Sequence, residues 1–492
     1  VSTEWPLRPS YGGYKVFKEE RNSIYNRDRS IDLMGTIPVL FLLASIVLNV
    51  YYFQNTYFEK ELTWTKKAAE NAEAVAALTC SGHGTAYIDG DIVDGRPICE
   101  CSSCYEGIDC SIFNPDCSVE VDGGNMTMYE AYFKARAEET AVVTSGWHRM
   151  SYNFRNGLLV SNELDKVIRK LHANAKNAVT EGKYIIIGVG SIQLLNAAVH
   201  ALSLMNFSAS PYPSNVVAKA PFYPAYKTQT NFLRTPHYKF IGDPTKLNFT
   251  NITGDVFEFV ASPSNPVGDL ESPFPIDNPN ITAHHISDRV YYWPPYTAIP
   301  APADDDIMLF SFSKLTGHAG SRLGWGLVKD VNVYNRMRQY IETVNVDISK
   351  DSLLRALTIF KDIVEDDGKK FFSSASKVMR DRWKKMNDIF SLSKRFSIQT
   401  LPIRYCSYLG RKRGPSPVFA WVHCKWDKNC AQVFENAKIK ARAGSRFFVG
   451  DDYVRIHLAI RQDDFDLLVT RLQQLIAQEE EIATLQTMSS SY

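Results

Sequence analysis

Six of the nine cysteines are crowded between Cys80 and Cys117, at positions 80, 99, 101, 104, 110 and 117; the others are Cys406, Cys424 and Cys430. A stretch that short cannot bury a hydrophobic core of its own, so covalent or metal cross-links must hold it. His83 is the one histidine available there, and Asp-Gly turns separate the cysteines. That composition favours disulfides over a metal knuckle and places the chain in an oxidising compartment, with the pairing left open by the spacing. Five N-x-S/T triplets, at Asn125, Asn206, Asn248, Asn251 and Asn280, agree with that compartment.

The segment 33–53, LMGTIPVLFLLASIVLNVYYF, carries no charge. About 20 apolar residues suffice for a helix to cross a bilayer, so a transmembrane helix is expected there, with Tyr51 and Tyr52 at an interface. Lys15, Lys18, Arg21, Arg27 and Arg29 precede it. By the positive-inside tendency, residues 1–32 form a cytosolic tail and everything after 53 is lumenal. This gives a single-pass membrane protein of the secretory pathway, its catalytic part extracytoplasmic. Residues 54–79, rich in Ala, Glu and Lys, read as a helical stalk. The disulfide module occupies 80–117.

From 118 onward short apolar strands alternate with helix-like stretches. KYIIIG (183–188) is followed by a glycine turn and IQLLNAAVHALSLM; NVVAKA, VFEFVAS, IMLFSFS and LGWGLVK are further strands. The alternation predicts an α/β architecture around a mainly parallel sheet, covered on both faces. We divide it into a large domain over 118–370, which includes an N-terminal part of the small domain, and a smaller C-terminal α/β domain over 371–492. Net charge is +1, which gives no global field for nucleic acid.

SFSKLTGHAGSRLGWG, at 311–326, puts Lys314 at the end of an apolar strand and Arg322 after a glycine-rich turn. A lysine capping a strand and a solvated arginine would explain the stretch without chemistry. An amine in an apolar pocket, however, can lose its proton and condense with an aldehyde cofactor, while glycines and an arginine cradle a phosphate. Other segments point the same way. Strand, Gly190-Ser191 and helix make an anion site; Phe222, Tyr223 and Tyr226 offer a stacking surface; Asn265 sits in an Asn-Pro-x-Gly turn; Asp288 precedes Tyr291.

In that order these segments resemble the fold type I family of pyridoxal-phosphate enzymes, of which aspartate aminotransferase is a representative. His318 departs from the apolar residue usual in aminotransferases. SKLTGHAGSRLGW, HRMSY (148–152), SPSNPVG and YVRIHLAIRQDDFD (453–466) are similar to the corresponding segments of plant alliinases and tryptophan aminotransferase-related proteins, and the cysteine module resembles the EGF-like module of alliinases. The resemblance implies pyridoxal 5'-phosphate as cofactor and no metal. It implies Lys314 as the covalent attachment point and proton shuttle, and Asp288 as the partner of the pyridine nitrogen. Asn265 and Tyr291 would bond the phenolic oxygen and Tyr223 would stack on the ring. Gly190, Ser191, Ser311, Ser313 and Arg322 would hold the phosphate. Tyr152 would contact the phosphate, across a homodimer interface. Arg455 would grip the substrate carboxylate as a bidentate fork.

The expected activity is transamination of an aromatic amino acid such as tryptophan with a 2-oxo acid. The alternative is an alliinase-type C–S lyase acting on S-alkyl-cysteine sulfoxides. A membrane-anchored adhesion protein with a dead catalytic domain is the third reading, against which the retention of Lys314, Asp288, Asn265 and Arg322 argues.

Overall fold

The seven strands of the central sheet are β1 (Tyr184–Gly188), β2 (Ser214–Val217), β3 (Tyr238–Gly242), β4 (Val256–Ala261), β5 (Ala283–Asp288), β6 (Ile307–Ser311) and β7 (Gly324–Val328), in the spatial order β3-β2-β4-β5-β6-β7-β1. The computed structural model describes residues 33–61, 64–154, 160–206 and 212–489. Neighbours from β3 to β6 are parallel. β7 runs antiparallel to both β6 and β1, so the sheet is mixed. The reversal follows from the short glycine-rich connection between β6 and β7, which turns back on itself instead of crossing over through a long helix. β1 nevertheless points the same way as β4, β5 and β6. Their C-terminal ends, at Gly188, Ala261, Asp288 and Ser311, therefore share one edge, where open α/β sheets place ligands.

The strands are apolar because both faces are covered. Every residue of β6 and β7 is buried. The helix Asn162–Ala175 shows how the layers are specified: Leu164, Val167, Ile168, Leu171, His172 and Ala175 are buried at helical spacing, and Ser161 caps its start by accepting from the Leu164 amide at 3.1 Å. Such a cap contributes about 1 kcal/mol. His172 is a core histidine. Its Nδ1 pairs with Asn177 Oδ1 (2.8 Å) and its Nε2 accepts from Trp325 Nε1 (2.9 Å); burial holds its pKa down at about 4.

The helix Lys369–Phe390 leads into a second sheet, of β8 (Phe396–Ile398), β9 (Phe419–Cys424), β10 (Arg442–Ala443) and β11 (Tyr453–His457), in the order β8-β9-β11-β10. Val119–Glu120 lies parallel to Ile439–Lys440, so the segment after the cysteine module pairs with the C-terminal part of the chain although it precedes the large sheet in sequence.

The module is cross-linked as Cys80–Cys99, Cys101–Cys110 and Cys104–Cys117; Cys424–Cys430 is a fourth bond and Cys406 is a buried free thiol. It docks on the start of the helix Gln462–Ser489. His83 Nδ1 lies 3.0 Å from Asp463 Oδ2, and Asp464 Oδ1 accepts from the Ser103 amide at 2.8 Å. Beside it Arg461 forms a fork on both oxygens of Glu130 (2.8 and 2.9 Å).

Residues 1–67 form one unit and the remainder of the chain another. The first holds the helix Leu33–Glu61, with Pro38 inside it and exposed apolar side chains from Val39 to Phe53. Among the described residues no helix is long and apolar enough to cross a membrane. The span expected at 33–53 is thus not shown. Helix forms through that run and continues to Glu59, Lys60 and Glu61. The tail at 1–32 lies outside the described residues. The stalk expected at 54–79 is helical over Trp64–Ala76.

Non-reducing peptide mapping should return the four bonds above and leave only Cys406 alkylatable after denaturation.

Candidate active site

The shared edge of the strands opens into a cavity of about 260 Å³ between the two sheets, and Lys314 lies in its wall. β6 ends at Ser311 and the single helical turn Phe312–Leu315 follows, so the side chains of Ser311, Ser313 and Lys314 emerge where the strand stops. The Lys314 amine donates to the carbonyl of Gly124 at 2.6 Å. Burial, then the nearby Arg455, push its pKa down to about 8, with Asp288 pulling the other way. Lys183 is also buried, but its amine is committed to Asp304 Oδ1 (2.6 Å) and the Asp305 carbonyl (2.8 Å). Behind Lys314, Tyr296 Oη donates to the lysine's own carbonyl (2.7 Å) and pairs with Tyr129 Oη (2.8 Å). The amine is thus fixed at both ends of its residue.

Asp288 closes β5 and is buried. Its Oδ2 accepts from Tyr226 Oη at 2.7 Å and its Oδ1 from the Val290 amide at 3.3 Å. Burial raises its pKa, and the Tyr226 and Val290 bonds work against that shift. A carboxyl in this state gains most from a cation placed against it.

β1 hands over at Gly188 to the helix Gly190–Asn206, whose first turn faces the cavity through Gly190, Ser191 and Ile192. Gly190 has φ +73°, and a Cβ there would lie 2.6 Å from Arg322 Nη2, so only glycine fits. Arg322 itself takes the left-handed region, φ +49°, unusual for a side-chain-bearing residue, and this turns its guanidinium back over the helix start. A helix N-terminus, Ser191, Ser311, Ser313 and an arginine around one glycine-cleared space could hold a phosphate.

Arg455 is buried on β11, its guanidinium 4.0 Å from the Phe419 ring centroid. Nη1 donates to Asn265 Oδ1 (3.1 Å) and Nη2 to the carbonyls of Asp122 (2.6 Å) and Gly123 (2.8 Å). Tyr223 and Tyr291 complete the wall; burial raises both phenol pKa values.

The structure therefore brings together Gly190, Ser191, Tyr223, Asn265, Asp288, Tyr291, Ser311, Ser313, Lys314, Arg322 and Arg455. Tyr152 is not among them: it is 70% exposed, outside the cavity. His318 is no anomaly. Its Nδ1 pairs with Thr316 Oγ1 (2.9 Å) while its ring stacks on Phe312 and meets Phe133 edge-on, and burial keeps it neutral. Sequence reasoning missed Gly124, Asn125 and Arg442 in the wall, and gave Tyr226 no partner. Asn125 also heads one of the five glycosylation triplets, so a glycan there would sit at the mouth of the cavity.

Known proteins match this arrangement. The alliinase family model covers residues 119–476 and the alliinase EGF-like domain model covers 63–117. The chain belongs to the alliinase family. It is 43% identical to tryptophan aminotransferase-related protein 4 of Arabidopsis thaliana over 90% of this chain and 97% of that one. It is 38% identical to an alliin lyase of Allium cepa over 94% of this chain and 98% of the relative. A solved methionine aminotransferase of Escherichia coli shares the fold at 13% identity, with a TM-score of 0.50 over 73% of this chain and 94% of that one. The cofactor of this family member is pyridoxal 5'-phosphate, and the protein is a fold type I enzyme that depends on it. The cradle at Gly190 and Arg322, the buried acid at Asp288 and the depressed amine of Lys314 suit that molecule's phosphate, ring nitrogen and aldehyde.

The Lys314 value sets a pH dependence. The neutral amine is the nucleophile, and its fraction grows as pH rises toward about 8. Capture of pyridoxal 5'-phosphate by the cofactor-free protein, followed by visible absorbance, should accelerate about tenfold per pH unit below that value and level off above it. A rate still climbing at pH 10 would point to an ordinary surface lysine.

Proposed function

We propose that this enzyme is an aminotransferase that moves the amino group of an aromatic amino acid, such as tryptophan, to a 2-oxo acid. The observation that carries the reading as a pyridoxal-phosphate enzyme is the depressed, buried amine of Lys314 in one cavity with Asp288, Arg322 and Arg455. Support for the transaminase branch comes from the 43% identity to a tryptophan aminotransferase-related protein. The 38% identity to an alliin lyase supports the competing C–S lyase, since the two chemistries share their first proton transfer.

When bound, the cofactor supplies an electron sink for the substrate's α-carbon. The chain's own residues do the rest. Lys314 would attach the aldehyde and, when free, would carry the proton to and from the substrate's α-carbon. Asp288, steadied by Tyr226, would keep the ring nitrogen protonated. Asn265 and Tyr291 would bond the phenolic oxygen, and Tyr223 would cover the ring. Ser191, Ser311, Ser313 and Arg322 would hold the phosphate at Gly190. Arg455 exchanges the carbonyls of Asp122 and Gly123 for the substrate carboxylate.

We further propose a homodimer in which Tyr152 reaches the phosphate of the second copy; the exposed run Trp147, Met150 and Tyr152 supports it. The four disulfides support a route through the secretory pathway.

Borohydride trapping of bound cofactor and peptide mapping should return Lys314, and Lys314→Ala should abolish the trapped adduct. Arg455→Ala should weaken carboxylate binding by about 2–3 kcal/mol while the cofactor stays bound; equal loss of cofactor would assign Arg455 to the phosphate or the fold.

The branch is decided by stoichiometry. A transaminase given only an aromatic amino acid should convert its visible band once and stop. Adding pyruvate or another 2-oxo acid should restore the band and release an equal amount of new amino acid. Rapid pyruvate release from an S-alkyl-cysteine sulfoxide, with the band intact and no acceptor present, would make the enzyme a lyase.

A further inference from the structure

The cavity has more positive charge than its assigned occupants use. Lys314, Arg322, Arg442 and Arg455 line it against the single carboxylate of Asp288. On the reading above, Lys314 is consumed by the aldehyde, Arg322 by the phosphate, Arg455 by the substrate's α-carboxylate, and Asp288 by the ring nitrogen. Arg442 is left over.

Its placement is specific. Arg442 on β10 is the cross-strand partner of Arg455 on β11. Directly opposed residues of an antiparallel pair stand about 4.5–5.5 Å apart at Cα and point to the same face. Two guanidinium stems therefore enter one cavity side by side, and each opposes the other's charge: Arg442 is the first electrostatic cause, after burial, that lowers the pKa of Arg455. Like charges opposite each other in a sheet are destabilising unless something lies between them. The protein supplies only part of that something. Arg442 Nε is paired with Asp122 Oδ1. Among the described residues its two Nη groups have no acceptor, and the side chain is 29% exposed, on the cavity side. A guanidinium held by Nε and open at both Nη groups presents a fork to a second anion.

We propose that Arg442 recognises a second acidic group on the small molecule whose first carboxylate Arg455 holds, and that the amino-group acceptor is accordingly a short-chain dicarboxylic 2-oxo acid. The proposal rests on the aminotransferase reading for its acceptor half. The transfer itself is balanced: the acceptor's keto oxygen is exchanged for the donor's amino group, and the donor leaves as a 2-oxo acid. Asp122 tempers the site. It competes for Arg442 while its backbone carbonyl occupies Arg455, so a diacid displaces contacts on both arginines and a monoacid displaces those on one.

The test uses the full chain loaded with cofactor, and unreactive probes. Calorimetry should show glutarate binding about tenfold or more tighter than butyrate at equal ionic strength, the worth of one charge-assisted contact. Arg442→Gln should bring the two affinities close together, Arg442→Lys should keep part of the preference, and Asp122→Asn should widen it by freeing Arg442. Arg455→Gln should weaken both probes. The KM ratio of pyruvate to 2-oxoglutarate in the amino-transfer assay should move with the glutarate preference across these variants. No preference in the unaltered protein, or a preference that survives Arg442→Gln, overturns the proposal. If Arg442→Gln fails to fold, Asp122→Asn decides: an unchanged or reversed preference overturns it. A glutarate preference that depends on Arg442, with no amino transfer to any 2-oxo acid, overturns the aminotransferase reading and the acceptor half with it. Absence of a visible cofactor band overturns the proposed function at its root.

Discussion

The hydrogen bond from Lys314 to the Gly124 carbonyl joins residues 190 positions apart, and the working arrangement of the site depends on what that bond requires. A lysine amine stays buried only if its desolvation is offset, and here one carbonyl does so while burial and neighbouring arginines favour the neutral form. The carbonyl comes from a segment that must therefore be held in place. That segment is anchored upstream by Cys104–Cys117 and by pairing of Val119–Glu120 with Ile439–Lys440, and downstream by Tyr129 against Tyr296. The same three successive carbonyls, Asp122, Gly123 and Gly124, take up donors of both Arg455 and Lys314. A bound amino acid offers one carboxylate to the first and an exchangeable amine to the second. The segment is thus a backbone stand-in for substrate.

This gives the cysteine module a physical place beside the site. It packs on the helix that follows β11 through His83, Ser103, Asp463 and Asp464, while Arg461 at that helix's start binds Glu130, just after the strap of residues 118–126 that carries the Gly124 carbonyl. Both ends of the strap are consequently referred to the strand that carries Arg455. The distance between amine and guanidinium is set by this frame and not by the large sheet alone.

Much of this was legible in sequence where the relevant contacts are local. Ser311, Ser313, Lys314 and Arg322 sit within a dozen residues, and a strand ending in a lysine followed by a glycine turn can be read without knowing what lies opposite. Gly190 and Asp288 are also strand-end residues, and the C-terminal edge rule gathers them. What stayed hidden depends on long-range pairing. Arg442 lies in IKARAGS, an unremarkable strand-like run until β10 is laid against β11. An N-terminal contribution to the small domain was expected, but the strand it pairs with rests on a parallel contact across some three hundred residues, between Val119 and Ile439. The reversed β7 was missed because its composition, buried on both faces, is the same whichever way the strand runs.

The cofactor-facing residues do not select between transamination and elimination, because Lys314, Asp288 and Tyr226 act before the two paths part. Selection must come from the other wall, where the second substrate or the leaving group sits. There the chain presents Arg442 beside Arg455, with Asp122 between them. A β-sulfur leaving group departs with the bonding electron pair, and a guanidinium would stabilise the charge it develops. A dicarboxylic acceptor would neutralise the same guanidinium. The charge left unmatched on β10 therefore faces whichever group distinguishes the two paths, through a residue that takes no part in the chemistry common to both.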